Sequence, residues 1–197
     1  MIYDALNQSP TGLRTTGLVI GLAVALAYAA AAARPDPVIR GLRALPFHAW
    51  GGRLLMAMAG AWAFFLFRGL EPVGIPRMDM GEFYHLRPYL LILIPVLTLL
   101  VIWHCGEFLA VRAIGCLILL AAAIPLDAAF LREPASRLLL VVPVYLAVLK
   151  ALFWIGMPYL LRDQVGWLTA DTARFRMLTV AGAGYGLIIA VAALFWW

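Results

Sequence analysis

One lysine stands in this chain of 197 residues, at position 150, near the middle of a run of Leu, Val, Ala and Phe. An ammonium in hydrocarbon costs about 2.5–3.5 kcal/mol on insertion scales, so Lys150 should face protein or water. It could serve as a proton or ion relay, or as counter-charge to an anionic headgroup. The structural alternative is a lysine that snorkels, or one that lies over Trp154 one turn on as a cation–π pair. Asp127 is a second charge inside an apolar run, one turn before its end. With the following turn centred near Pro134, Asp127 is level with about residue 141. Lys150 then lies about 13 Å further on, at 1.5 Å per residue. Asp127 is therefore expected to pair with Arg132 or Arg137 at the rim, where ion pairs are usually structural.

Two further sets have metal- or cofactor-like residue types. His48 and Arg53 open one apolar run, and His104, Glu107 and Arg112 surround the end of the next and the start of the one after. Histidines on facing helices could ligate a haem or a chlorophyll-type pigment, and His with Arg and Glu could hold a quinone headgroup. Both histidines are at helix ends, however, where a polar ring can simply reach headgroup water. Asp79, Glu82 and His85 are spaced by three, which on a helix places them near one face. Carboxylates with imidazole suit a divalent metal, but no ligand signature accompanies them. Cys105 and Cys116 lie 11 residues apart in apolar sequence without a CxxC pattern, and read as inert thiols. Walker, GxSxG, HExxH and dinucleotide signatures are missing, so no catalytic residue is assigned, no cofactor is required, and the balance leans against an enzyme.

The elements that must position these residues are apolar. The chain is 65% hydrophobic and 13% charged, where soluble domains have about a quarter of their residues charged. Its mean hydropathy is +0.95. A bilayer can solvate that much apolar surface, and a soluble fold of this length cannot hide it. The net charge of +5 comes from arginines at the ends of apolar runs, not from a patch with interleaved aromatics, so nucleic acid is excluded as a partner.

Six runs of spanning length follow, at approximately 17–33, 47–67, 88–105, 107–131, 137–161 and 177–197. The first resembles a signal peptide, but its basic residues mostly follow the apolar run, so a retained span is expected. The third and fourth are separated only by His104-Cys105-Gly106-Glu107, which reads as the turn of a helical hairpin. Residues 37–45 alternate Val38, Ile39, Leu42 and Leu45 with Arg40 and Arg43, the pattern of a short helix lying on the cytoplasmic membrane surface. Residues 68–87, with Pro72, Gly74, Pro76 and Gly81, should be irregular before a turn of helix. Pro95, Pro125 and Pro143 should each free a backbone carbonyl inside a span. Gly17xxxGly21 and Gly182xxxGly186 offer small-residue faces, either within the bundle or to another subunit.

The expected fold is an all-α integral membrane protein, a single domain over 1–197: six transmembrane helices, short loops and one short cytoplasmic interfacial helix. Six arginines fall on the side of the termini and eight on the other, with the loop after the first span the most basic. The positive-inside rule then places both termini outside the cytoplasm of a bacterial inner membrane. The stretch from Glu107 to Trp167, with its Leu-Leu-Arg-Asp end, resembles small bacterial membrane proteins in general and carries no family motif. Few polar groups lie at mid-span, and no inverted repeat is visible. These features suit a non-enzymatic accessory subunit of a larger membrane complex, with lipid and other membrane subunits as partners. The alternatives are a small transporter or lipid-handling protein centred on Lys150, and a haem-, pigment- or quinone-binding redox subunit using His48 and His104.

Overall fold

The computed structural model describes residues 12–45, 48–69, 80–106, 108–130, 132 and 135–197. Six helices in it are long and apolar enough to cross a bilayer, and no strand occurs among the described residues. The chain is an all-α polytopic membrane protein. In chain order the helices are α1 (Gly12–Ala33), α2 (Pro35–Ala44), α3 (Ala49–Arg68), α4 (Arg87–His104), α5 (Leu109–Ala129), α6 (Leu138–Gly156), α7 (Tyr159–Leu168) and α8 (Thr172–Phe195). Short 3-10 turns precede α4 and α6, at Gly81–Leu86 and Ala135–Arg137. The helices α2 and α7 are the short ones, at ten residues each.

Proline sets two of the boundaries. The residue before a proline is pushed out of the helical region by the pyrrolidine ring. Arg34, before Pro35, has φ −131° and ends α1. Met157, before Pro158, has φ −128° and ends α6. The apolar run read from 137 to 161 is therefore interrupted at Gly156, and its tail belongs to a separate helix, α7. The sixth span likewise starts at Thr172 rather than at 177, because Asp171 caps it: its carboxylate accepts from the backbone N–H of Ala173 at 2.9 Å. At the expected hairpin, the residue in the left-handed conformation is Phe108, with φ 55° and ψ 22°, and not Gly106.

Lipid is as apolar as leucine, so helices in a bilayer associate by close packing of small residues and not by a hydrophobic drive. Glycines mark the seams here. The most extensive contact joins α1 to α8. The two GxxxG faces pack on each other across it: a Cβ on Gly186 would stand 2.5 Å from the Ala25 nitrogen and 2.8 Å from the Gly21 oxygen. Gly52 brings α3 against Ala110 of α5, Gly60 of α3 receives Thr98 of α4, and Gly115 of α5 receives Ile155 of α6. The result is an array in the spatial order α4, α3, α5, α6. The sequential neighbours α4 and α5 are therefore joined by a turn but separated by α3, and do not form a packed hairpin. No residue of α4 is buried.

The α1–α8 pair meets this array most closely at the end that holds Gly12 and Trp197. There Leu13, Ala129, Leu140 and Ile189 form a buried cluster. Tyr185 donates to the Leu139 carbonyl at 2.7 Å, and the Trp197 indole donates to Ser136 at 2.9 Å. Below this cluster the contact between α1 and α5 is sparse, and a cleft runs along the seam.

Two glycines of α8 separate the packing claim from helix propensity. Gly186→Ala should destabilise the bundle by about 1–3 kcal/mol, the usual cost of overpacking. Gly184→Ala meets nothing within 4 Å and should be neutral or stabilising, because alanine favours helix over glycine by up to about 1 kcal/mol. Thermal unfolding of the two variants in detergent checks this, and equal melting temperatures would rule out the seam as described.

Candidate functional site

Lys150 lies on α6, six residues before Gly156. It is thus about 9 Å from the helix end at 1.5 Å per residue, and three residues past the middle of α6. Pro143, Ala147 and Lys150 follow at intervals of four and three, which places them on one face. That face looks into the seam between α6 and the α1–α8 pair.

Cavities of about 660, 540 and 580 Å³ follow one another along the seam. Each is of the size that ligand sites occupy, about 300–1,000 Å³. The first holds Lys150, with Asp163, Gln164 and Trp167 from α7, Tyr28 from α1 and Thr179 from α8. The second shares Tyr28 with it and continues past Ala147 and Pro143 to Leu140. The third shares Ile20, Val144 and Ala147 with the second and is lined by Thr15, Thr16 and apolar residues of α1, α5 and α6. Polar groups thus gather at one end of a long apolar slot.

Lys150 is exposed at the wall of this slot and makes no hydrogen bond or ion pair among the described residues. Its spacing allows a cation–π pair with Trp154, but the Trp154 indole instead donates to the Gln164 side chain at 3.1 Å. That bond ties α6 to α7 and holds Gln164 beside the cavity. Asp163 pairs with its neighbour Arg162 at 3.1 Å, with both side chains more than half exposed, so the pair contributes little to stability.

The helix α7 is held by its C-terminal end, where unpaired carbonyls carry a partial negative charge. Arg43 of α2 donates from Nε to the Thr169 hydroxyl at 2.9 Å and from a second nitrogen to the Thr169 carbonyl at 2.5 Å. Arg174 donates to the Trp167 carbonyl at 3.1 Å, with its guanidinium 4.7 Å from the Trp167 ring centre. Arginines cap other helices in the same way: Arg87 reaches the carbonyls of Phe67 and Arg68 at the end of α3, and Arg137 reaches that of Ala129 at the end of α5. The residues that the sequence presents as topology charges also act as C-terminal caps. The amphipathic helix α2 forms as the Val38, Ile39, Leu42 pattern requires, with those residues partly buried and Arg40 and Arg43 exposed.

The other candidates are arranged less suggestively. Antiparallel packing of α3 on α4 puts His48 and His104 at one end, but both rings are exposed. Arg53 lies 5.5 Å from the Trp50 ring centre. Arg112 donates to the Cys105 sulfur at 3.0 Å, while its Nε is buried without a partner among the described residues. Glu107 and Asp79 lie outside the described residues. Glu82 and His85 are exposed on a 3-10 turn, where His85 donates from Nδ1 to the Glu82 carbonyl at 3.1 Å. No group of three His, Cys, Asp or Glu side chains among the described residues could hold a metal. Asp127 is partly buried in the last turn of α5, at the opposite end of the bundle from α7.

The fold and the cleft define the class, a six-helix polytopic membrane protein with a charged head on an apolar slot. No family model, curated protein or solved structure matches the chain.

What sequence reading missed is α7, and with it Asp163, Gln164 and Trp167. The signal was Gly156 followed by Pro158, a pair that favours a helix end, although Pro95, Pro125 and Pro143 are accommodated inside helices here. Arg43→Ala should loosen α7 without unfolding the bundle. A charged hydrogen bond discounted for exposure is worth about 1 kcal/mol, so amide hydrogen exchange at Val165–Thr169 should rise about fivefold. Unchanged exchange there would remove Arg43 as the tether. For the histidines, the spectrum of the extracted protein should show no band beyond the tryptophan envelope. A visible band lost in His48→Ala or His104→Ala would restore the pigment reading.

Proposed function

We propose that this protein is a small, non-enzymatic lipid-handling component of a bacterial inner membrane, and that its working site is the cleft headed by Lys150. The observation that carries the reading is an ammonium without a partner among the described residues, at the mouth of an apolar slot. A charge within a membrane span is retained where something compensates it. A phosphate-bearing headgroup does so, and the slot receives the chain attached to it. A polar solute fits less well, because the walls beyond Tyr28 offer almost nothing to replace its hydration.

The orientation that accompanies this reading puts α2 and α7 at the cytoplasmic surface. Arg40, Arg43, Arg162, Arg174 and Arg176 all belong to that end, and a basic loop after the first span favours retention inside. Both termini then lie outside the cytoplasm.

A second reading has its own observation. The helix α4 has no buried residue and is held to the rest through α3, so its outer face is free to pack on another membrane subunit. This favours an accessory subunit of a larger complex. Native mass spectrometry of mildly solubilised membranes tests it: a fixed stoichiometric partner supports it, and a lone monomer removes it.

Lys150→Met tests the first reading. Phospholipid retained through purification should fall at least about tenfold, the equivalent of one lost charge-assisted contact near 1.4 kcal/mol. The melting temperature should hold or rise, because an ammonium has left hydrocarbon. Equal lipid retention in the variant would overturn the proposal.

A further inference from the structure

We infer that the lipid taken by this cleft is a two-charge phospholipid, one whose headgroup carries a phosphate and a primary ammonium, as phosphatidylethanolamine does. The inference rests on the lipid-handling reading and specifies its ligand.

Charge complementarity is the first argument. The head cavity presents one cation and one anion from different helices: Lys150 from α6 and Asp163 from α7. A phosphate accepts from the Lys150 ammonium. A headgroup ammonium donates to the Asp163 carboxylate, with the Gln164 side-chain oxygen as a second acceptor. Among the described residues, the Asp163 carboxylate is held by its exposed neighbour Arg162. Such an exposed pair contributes little, so a headgroup ammonium can displace it. A headgroup with phosphate alone would bring a second negative charge beside Asp163 and no cation for it. Trp167 stands against the same cavity. Its indole is the type of ring that seats at a membrane interface, apolar on its face and polar at one edge.

The slot supplies the second argument. From Lys150 to Leu140 the cavity wall follows ten residues of α6. At 1.5 Å per residue this is about 15 Å, half of a hydrocarbon core about 30 Å thick. An acyl chain has about that length, and here it would run from near the middle of α6 toward its N-terminal end. The apolar cavity that shares Ile20, Val144 and Ala147 with this slot offers a place for a second chain. A head with two opposite charges above two apolar slots has the outline of a diacyl phospholipid and not of a single-chain detergent.

The test uses the full chain, stripped of lipid in detergent and then offered vesicles of phosphatidylethanolamine, phosphatidylcholine or phosphatidylglycerol. Native mass spectrometry reads the retained lipid. Phosphatidylcholine shares the phosphate but its methylated nitrogen cannot donate a hydrogen bond, so ethanolamine lipid should be retained about tenfold more. Asp163→Asn should lower ethanolamine lipid to the choline level and leave choline lipid unchanged, whereas Lys150→Met should lower all of them. Equal retention of ethanolamine and choline lipids, or better retention of glycerol lipid, overturns the headgroup assignment while Lys150 dependence keeps the lipid reading standing. Retention that ignores Lys150 overturns both. Asp163 is exposed, so the Asn variant should fold, and its melting temperature confirms this.

Discussion

Backbone-to-backbone approach at glycine is the constraint on which the rest of this structure depends. Where Gly21 and Gly186 face each other, no side chain separates α1 from α8. In lipid, that closeness is the principal source of helix association, because burying a leucine gains nothing over leaving it among acyl chains. The glycines of α3 and α5 do the same for the array α4, α3, α5, α6. The pair and the array have no comparable seam between them. They meet through larger side chains near Leu13, Leu140, Ile189 and Tyr185, and these hold the helices apart along the rest of their length. The cleft is the consequence: two tightly closed bodies joined at one end leave a slot at the other.

The slot then requires something at its mouth. Lys150 lines a cavity there with Thr179 of α8 and with Asp163, Gln164 and Trp167 of α7. The position of α7 is fixed electrostatically at its C-terminal carbonyls by Arg43 and Arg174, and through a hydrogen bond from Trp154 to Gln164. The proposed site is thereby linked to elements distant in sequence. Arg43 lies between the first and second spans, yet it holds the helix that carries Asp163.

The sequence made the spans legible because hydropathy in a bilayer is a local property. The six apolar runs, the interfacial pattern at 37–45, the break after His104 and the internal prolines can all be read from composition and spacing. Lys150 was legible too, by its rarity among apolar neighbours. Tertiary partners were not. Nothing in the short turn between α4 and α5 announces that α3 will lie between them, because that outcome depends on Gly52 and Gly60 finding Ala110 and Thr98. Nor does hydropathy reveal α7, since Leu160 and Leu161 extend the apolar run of α6 without a dip. Only Gly156 and Pro158, the latter through the restriction it places on Met157, divide them. The GxxxG motifs were visible as packing faces, but whether they served this bundle or another subunit was decided by the match of their two spacings.

The most direct test of the account is an experimental density map of the protein in a lipid nanodisc. The account predicts an elongated feature in the seam between α6 and the α1–α8 pair, with its head within hydrogen-bonding distance of the Lys150 ammonium and its tail passing Ala147 and Pro143. Direct packing of α1 on α6 along that seam, with Lys150 turned away and paired to a protein carboxylate, would contradict it.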